Sequence, residues 1–371
     1  MSDLSVNSIL DASGGATTTI NGFTPTVSNM AGRNKIINGG MGIDQRNAGA
    51  SSLALNATYY LDRWGFNSSQ NNKFNMGQNL GSVTPPAGFV NYLGLNVASS
   101  VSIGAGDYFA ILQKIEGFNV ADLSWGSANA KTVTLSFQVY SSLTGTFGGA
   151  IRNSSDARAY PFSYTISVAN TWTSISVTIA GDTTGTWNTN SSSGIEIWWG
   201  LGAGSTFSTT ANAWAAGNYI SATGATSVVG TSGATFYITG VQLEEGSVAT
   251  PFERRPVGLE LALCQRYFEK SYNQDVVPGI ASFTPGFMSS VTSSGALTQG
   301  SGCTFKVTKR VNPTFVGYNA VTGASGYSYR VSDGVSVATS FTNIGMSAVG
   351  YIDVPSSANG YYWHYTAAAE L

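Results

Sequence analysis

Charge is what this sequence has least of. Lys, Arg, Asp and Glu make up 10% of its 371 residues, against about 25% in an ordinary soluble domain. Seventeen basic and 19 acidic side chains leave a formal net charge of −2. That excludes the dense basic face that nucleic-acid binding requires, and it leaves little field to steer charged partners. Cysteine is nearly absent as well. Cys264 and Cys303 are the only two, which is no disulfide framework and fits synthesis in a reducing cytosol. There is a single histidine, His364, so zinc sites built on His and Cys are excluded, as is Cys–His catalysis. A Ser-His-Asp triad could draw only on His364, and no Gly-x-Ser-x-Gly elbow stands between a strand and a helix. No apolar run approaches the roughly 20 residues that span a bilayer, so no membrane insertion is expected. The opening Met1-Ser2-Asp3-Leu4 lacks the basic start and apolar core of a secretory signal.

What the chain has instead is apolar bulk and turn chemistry. Apolar residues make up 42%, with 18 Phe, 18 Tyr, 8 Trp and 45 Gly. Disordered chains are poor in aromatic and β-branched residues, so this one folds. Its length points to two or three domains. With so little charge, the surface must be built from hydroxyls, amides and backbone, which suits neutral sugars or close packing inside a large assembly.

The dominant pattern is the short strand of period two. Thr132–Tyr140 places Val133, Leu135, Phe137 and Val139 on one face and hydroxyl or amide groups on the other. Phe162 to Val168 and Ile175 to Ile179 repeat it, and residues 89–97, 109–115 and 195–199 are further strands. In residues 235–243 the apolar parity switches at Thr239-Gly240, the mark of a β-bulge. Many short strands with frequent turns and no helical spacers predict an all-β chain with a jelly-roll β-sandwich over 34–255. A helix from Pro256 to about Ser271, with Leu259, Leu263 and Tyr267 recurring every four residues, is predicted as a connector over 256–272. A smaller C-terminal β domain follows over 273–371. Residues 1–33, with Gly14-Gly15 and Asn21-Gly22, read as a separate attachment piece too poor in large apolar residues for its own core.

Glycoside hydrolysis would need two carboxylates facing each other about 5–10 Å apart. From Thr183 to Leu243 the only charged side chain is Glu196. Glu244-Glu245, Asp107 and Glu116 lie beside strand ends, where salt bridging, edge protection or calcium ligation is the ready use for them. Hard oxygen ligands would suffice for a structural calcium, but no twelve-residue loop with acidic spacing is present. No catalytic residue and no cofactor is assigned. Glycan-contact candidates are aromatic. Trp187 and Trp214 sit in turn-rich surroundings, where an indole face can meet the C–H face of a pyranose. Tyr361 and Trp363 belong to Tyr361-Tyr362-Trp363-His364-Tyr365, a segment with more ring surface than one strand face buries. Trp199, which alternates with Ile195 and Ile197, is expected in the core.

Four segments carry a family resemblance: Asn34-Lys35-Ile36-Ile37-Asn38-Gly39-Gly40-Met41 with Ile43-Asp44-Gln45-Arg46; Tyr60-Leu61-Asp62-Arg63-Trp64; Val241-Gln242-Leu243-Glu244-Glu245-Gly246 with Ala249-Thr250-Pro251-Phe252-Glu253; and Glu260 to Phe268. In this order and spacing, over residues 34–268, they resemble a group of phage and prophage virion proteins described as tail-fibre-like. The resemblance implies a jelly roll similar to carbohydrate-binding modules and a homotrimer. It also implies a location on the virion after synthesis in the bacterial cytoplasm. Residues 1–33 would then contact other virion proteins and the outer part a host surface glycan. Capsid decoration, cement or head fibre without a receptor role is the alternative. No functional residue carries over. Asp62-Arg63-Trp64 and Gln265-Arg266-Tyr267 are expected as clamps in which an Arg pairs with a carboxylate and stacks on a ring.

Overall fold

The computed structural model describes residues 32–155, 157–284, 287–294, 297–354 and 360–371. The expected attachment piece therefore lies, up to residue 31, outside the described residues. Alternating apolar side chains drive two antiparallel sheets together as a jelly-roll β-sandwich. The six-stranded sheet runs, edge to edge, Ser52–Leu53, Phe74–Gln78, Leu93–Val97, Thr235–Glu245, Val133–Ser141 and Thr173–Ile179. The seven-stranded sheet runs Ala215–Ala216, Arg158–Ile166, Gly145–Arg152, Ser193–Ala203, Tyr108–Glu116, Trp64–Ser68 and Thr58–Leu61. Val133, Leu135, Phe137 and Val139 point into the space between the sheets, as the pattern predicts, and meet Phe147, Phe162, Ile197 and Trp199 from the other side. Trp64 and Trp199 stand 5.5 Å apart at the centre.

Three expectations are corrected in detail. The strand expected at 89–97 begins at Leu93, because Phe89 and Val90 belong to a loop lying over the sheet. The helix is Val257–Gln265 and does not reach Ser271. Phe268–Lys270 is instead a strand, pairing with Thr366–Ala368, since its backbone completes the edge of the C-terminal sheet. Of the expected stripe, Leu259 is exposed, Leu263 is half-buried, and Tyr267 is fully buried beyond the helix end. The bulge is where the parity switch put it: the pairing with Val133–Ser141 shifts register between Thr239 and Gln242.

The smaller C-terminal β domain is organised around one strand, Gly360–Ala368. It pairs with Phe268–Lys270, Phe287–Ser290, Thr314–Asn319 and Tyr329–Arg330. Its core is Tyr361, Trp363 and Tyr365 with Phe305, Ile352 and their neighbours.

Three of the four family-like segments meet at one joint between sandwich and C-terminal domain, and the third segment is tied to the first through the Asn34 side chain, which bonds to Val241 and Leu243. Ile37, Ile43, Cys264 and Tyr267 form its apolar centre, with Leu371 packed against it. The Asn38 side chain bonds to Ile43 and to the Asp62 carbonyl, while Trp64 Nε1 donates to the Asn38 carbonyl at 3.0 Å. Buried Asp62 accepts two bonds from Gln45, at 2.6 Å each. Of the two expected clamps, the one at Arg63 has both its carboxylate and its ring, and the one at Arg266 has its carboxylate. Arg63 pairs with Glu370 and lies 3.6 Å over the Tyr267 ring. Arg266 grips Glu116 through two bonds of 2.8 and 2.6 Å, and Tyr267 Oη donates to the same carboxylate at 2.7 Å. Burial would raise the Glu116 carboxyl, but Arg266 and Tyr267 outweigh it and hold it below its usual value.

Candidate functional site

Two of the four sequence candidates come together, and a residue the sequence did not single out joins them. Trp125 follows a 3₁₀ turn at Ala121–Leu123, Trp187 lies between Thr173–Ile179 and Ser193–Ala203, and Trp214 precedes the short strand Ala215–Ala216. Their rings meet edge to face at one end of the sandwich. Centroids are 4.8 Å (Trp125–Trp187), 5.4 Å (Trp125–Trp214) and 5.5 Å (Trp187–Trp214) apart, with interplanar angles of 82°, 82° and 79°. The approach depends on glycine at position 126: a Cβ there would stand 2.7 Å from the Gly185 carbonyl oxygen and 3.2 Å from Trp187 Cδ1.

The indole N–H groups all donate to backbone carbonyls. Trp125 donates to the Lys131 carbonyl at 2.8 Å, Trp187 to Thr184 at 3.1 Å and Trp214 to Ala180 at 2.8 Å. Trp125 is buried, whereas Trp187 and Trp214 are half-buried and pack against the sandwich core. What reaches solvent is therefore ring surface without an unpaired donor, the surface that stacks on sugar C–H groups. Tyr160 backs Trp214 edge-on at 5.3 Å. Arg158 is held beside it by Asp182 through bonds of 2.7 and 2.8 Å. Burial raises the Asp182 carboxyl, but the Arg158 pair and the bonds from Thr184 win, keeping it below its usual value. A carboxylate stabilised in this way makes a poor proton donor.

The other two candidates are corrected. Tyr361 and Trp363 are both 0% exposed. The strand that carries them is covered on both faces, so the surplus of ring surface goes into the core and no face is left for a sugar. Trp363 Nε1 donates to Ser289 Oγ at 2.9 Å, and Phe287 stacks on its ring at 5.2 Å. His364 is equally buried. Its Nε2 donates to the Ser282 carbonyl at 2.8 Å, so Nδ1 of the neutral ring accepts from Ser271 Oγ at 2.9 Å. Tyr272 stacks on it at 3.9 Å, and burial lowers its pKa. Burial pushes the Cys303 thiol up to about 12 and the Cys264 thiol well above its ordinary value, so neither is an activated nucleophile.

The carboxylates flagged in the sequence have structural partners. Glu196 is buried against Arg152, Lys114 and Trp198 Nε1. Glu244 accepts from Thr250 N and Oγ1, Glu245 pairs with Lys131, and Asp107 accepts from Ser69, Gln70 and Gly104 N. Among the described residues no group of three or more His, Cys, Asp or Glu side chains could hold a metal ion, and no helix is long and apolar enough to cross a membrane.

Comparison with known proteins adds little to this geometry. No protein-family model and no curated protein matches the chain. Solved structures similar in part include the enzymatically active domain of bacteriophage CBA120 tailspike protein 4, at 14% identity and TM-score 0.27. That match covers 57% of this chain and 21% of the tailspike chain, so this chain spans about a fifth of that length. A putative sugar binding protein from Bacteroides thetaiotaomicron aligns at 9% identity over 57% of this chain and 100% of its own, TM-score 0.31. A family 11 carbohydrate-binding module from Clostridium thermocellum, in complex with a mixed-linked tetrasaccharide, aligns at 12% identity over 54% and 98%, TM-score 0.27. Likenesses at this level carry no functional weight.

Proposed function

We propose that this chain is a non-catalytic structural and glycan-binding protein of a bacteriophage particle, of the tail-fibre or receptor-binding type, and that the Trp125–Trp187–Trp214 cluster is its glycan contact. One observation carries the reading: the half-buried indoles of Trp187 and Trp214, with every N–H of the cluster bonded to a backbone carbonyl, set on a charge-poor sandwich. Acidic side chains tied up in ion pairs and caps support a binding role over hydrolysis. The phage assignment rests on the four family-like segments, whose buried interlocking gives each a physical reason for its residues. In this reading residues 1–33 dock to the particle. Three copies associate through the open side of the Val257–Gln265 helix, where Val257 is 74% and Leu259 52% exposed.

The test is adsorption. The Trp187→Ala/Trp214→Ala double variant should keep its fold and oligomeric mass while losing host-cell binding and competition with phage. Unchanged adsorption would remove the cluster from the reading, and a monomeric mass in light scattering would remove the trimer. New reducing ends released from host polysaccharide would contradict the non-catalytic assignment.

A decoration or cement role has its own support. Val90 (80% exposed) and Phe118 (61%) flank the same helix, and exposed apolar groups gathered in one region suit lateral packing between subunits. Icosahedral copy number in purified virions would favour that reading over a fibre.

A further inference from the structure

The outer face of the six-stranded sheet carries a groove that the tryptophan cluster does not explain. It measures about 450 Å³. Its floor is the polar side of the period-two pattern: Ser136 and Gln138 on one strand, Ser174 and Ser176 on the neighbouring edge strand. Gln138 and Ser174 exchange hydrogen bonds of 2.8 and 3.0 Å, which fixes the amide in place.

The wall of the groove follows from the bulge. Gly240 has φ +61°, and a Cβ there would stand 2.6 Å from Phe89 Cζ. Only glycine at that position lets the Phe89 ring lie on the sheet. Phe252 packs edge-on against Phe89 at 5.1 Å. Over both rings sits the Arg254 guanidinium, 4.9 Å from the Phe89 centroid and 5.7 Å from that of Phe252. Arg254 is exposed and has no carboxylate partner among the described residues, whereas adjacent Arg255 pairs with Glu253 and Glu260. In a chain this poor in charge, a cation steadied on two rings at the mouth of a hydroxyl-lined groove is conspicuous. Planar donors held in place in this way match a carboxylate. The serine and glutamine floor matches sugar hydroxyls more than a point anion, and the volume lies in the range of saccharide and small-ligand sites.

We propose that this groove binds an acidic saccharide, with Arg254 taking the carboxylate and the Ser136–Gln138–Ser174–Ser176 floor taking hydroxyls. The site shares no residue with the tryptophan cluster, so the two can fail separately.

The test uses the full chain against a panel of hexuronate and sialylated oligosaccharides and their methyl esters. Esterification removes the charge and keeps the hydroxyls. The acid forms should bind, with the esters and the Arg254→Gln variant each weaker by about 10- to 100-fold, the size of a lost charge-assisted bond. R254Q should leave ester binding unchanged, and Trp187→Ala/Trp214→Ala should leave acid binding unchanged. Equal affinity for acid and ester, no effect of R254Q, or no acidic member bound would overturn the proposal. So would displacement by equimolar inorganic phosphate, which would make Arg254 an unselective anion contact. Loss of acid binding in the tryptophan variant alone would return the ligand to the cluster.

Discussion

In the sandwich, Trp64 and Trp199 are fully buried between the sheets, while Trp187 and Trp214 are half-buried at one end. In the C-terminal domain, Tyr361, Trp363 and Tyr365 all turn into one core, and on the opposite face of the same strand His364 is buried under Tyr272. Both regions are rich in rings, but the tryptophans are used differently: Trp187 and Trp214 keep part of their faces in solvent and Trp363 keeps none, while the C-terminal rings that do reach solvent are Phe283, Tyr327 and Tyr351. The difference lies in backbone placement. The sandwich tryptophans that reach solvent sit on loops, which hold them by hydrogen bonds to carbonyls. Tyr361, Trp363 and Tyr365 sit on a strand with partners along both edges, and their face of it is covered by the domain core.

The same substitution in the two regions should separate these uses most sharply. Trp363→Ala should cost about 3–5 kcal/mol and unfold the C-terminal domain early in urea, with glycan contact by the sandwich unaffected. Trp214→Ala should cost clearly less and remove binding. Equal losses of stability would erase the distinction.

The second effect concerns polar burial. Glu269 and Lys309 form an ion pair of 2.6 Å with both side chains at 0% exposure, and Glu269 also accepts from Lys306 N, Val307 N and Tyr365 Oη. Glu269→Gln keeps the shape and strands a buried cation, so a loss of about 3–5 kcal/mol is expected in chemical denaturation. Replacing both residues with apolar ones of similar volume should recover most of it. The sandwich has no pair buried as completely as this one among the described ion pairs.

A smaller effect, of opposite sign at two places, should appear with pH. Burial raises the Asp62 carboxyl to about 6, above the roughly 3.9 of an unfolded chain. The folded joint thus binds the proton more tightly, and this group adds stability as pH falls from about 6 toward 4, on the order of 2 kcal/mol. His364 is lowered from 6.5, so the unfolded chain binds that proton more tightly. Its contribution is lost as pH falls below about 6.5. Asp62→Asn should flatten the first slope and His364→Gln the second in melting curves taken across pH 4–7. Identical slopes in wild type and both variants would contradict the two assignments. The smallest change expected is at Lys131–Glu245, a surface pair with 41% and 35% exposed side chains. Lys131→Ala should shift stability by no more than about 0.5 kcal/mol.

Much of the fold was legible because period two is a local signal. The Thr132–Tyr140 pattern became Val133–Ser141, and the parity switch at Thr239-Gly240 marked the bulge. Phe268–Lys270 was misread because its strand character comes from a partner almost 100 residues later, which no local pattern records. The candidate site was half legible. Loop surroundings pointed to Trp187 and Trp214, but ring density misled at Tyr361 and Trp363, since composition does not tell whether a strand is central or at an edge. Trp125 and Arg254 were missed for a shared reason: their roles arise from close approaches at Gly126 and Gly240 that only the assembled loops reveal.

The strand Gly360–Ala368 comes after all its partners in the chain. During synthesis at about 5–20 residues per second, Phe268–Lys270 would wait on the order of 5–20 s for its neighbour to emerge. The sandwich strands end at Glu245 and need nothing from that later segment for their own pairing. A ribosome stalled before residue 360 would therefore hold a sandwich with its strands paired but Arg63 still lacking Glu370, attached to several open strand edges, the state most exposed to wrong pairing with another nascent chain.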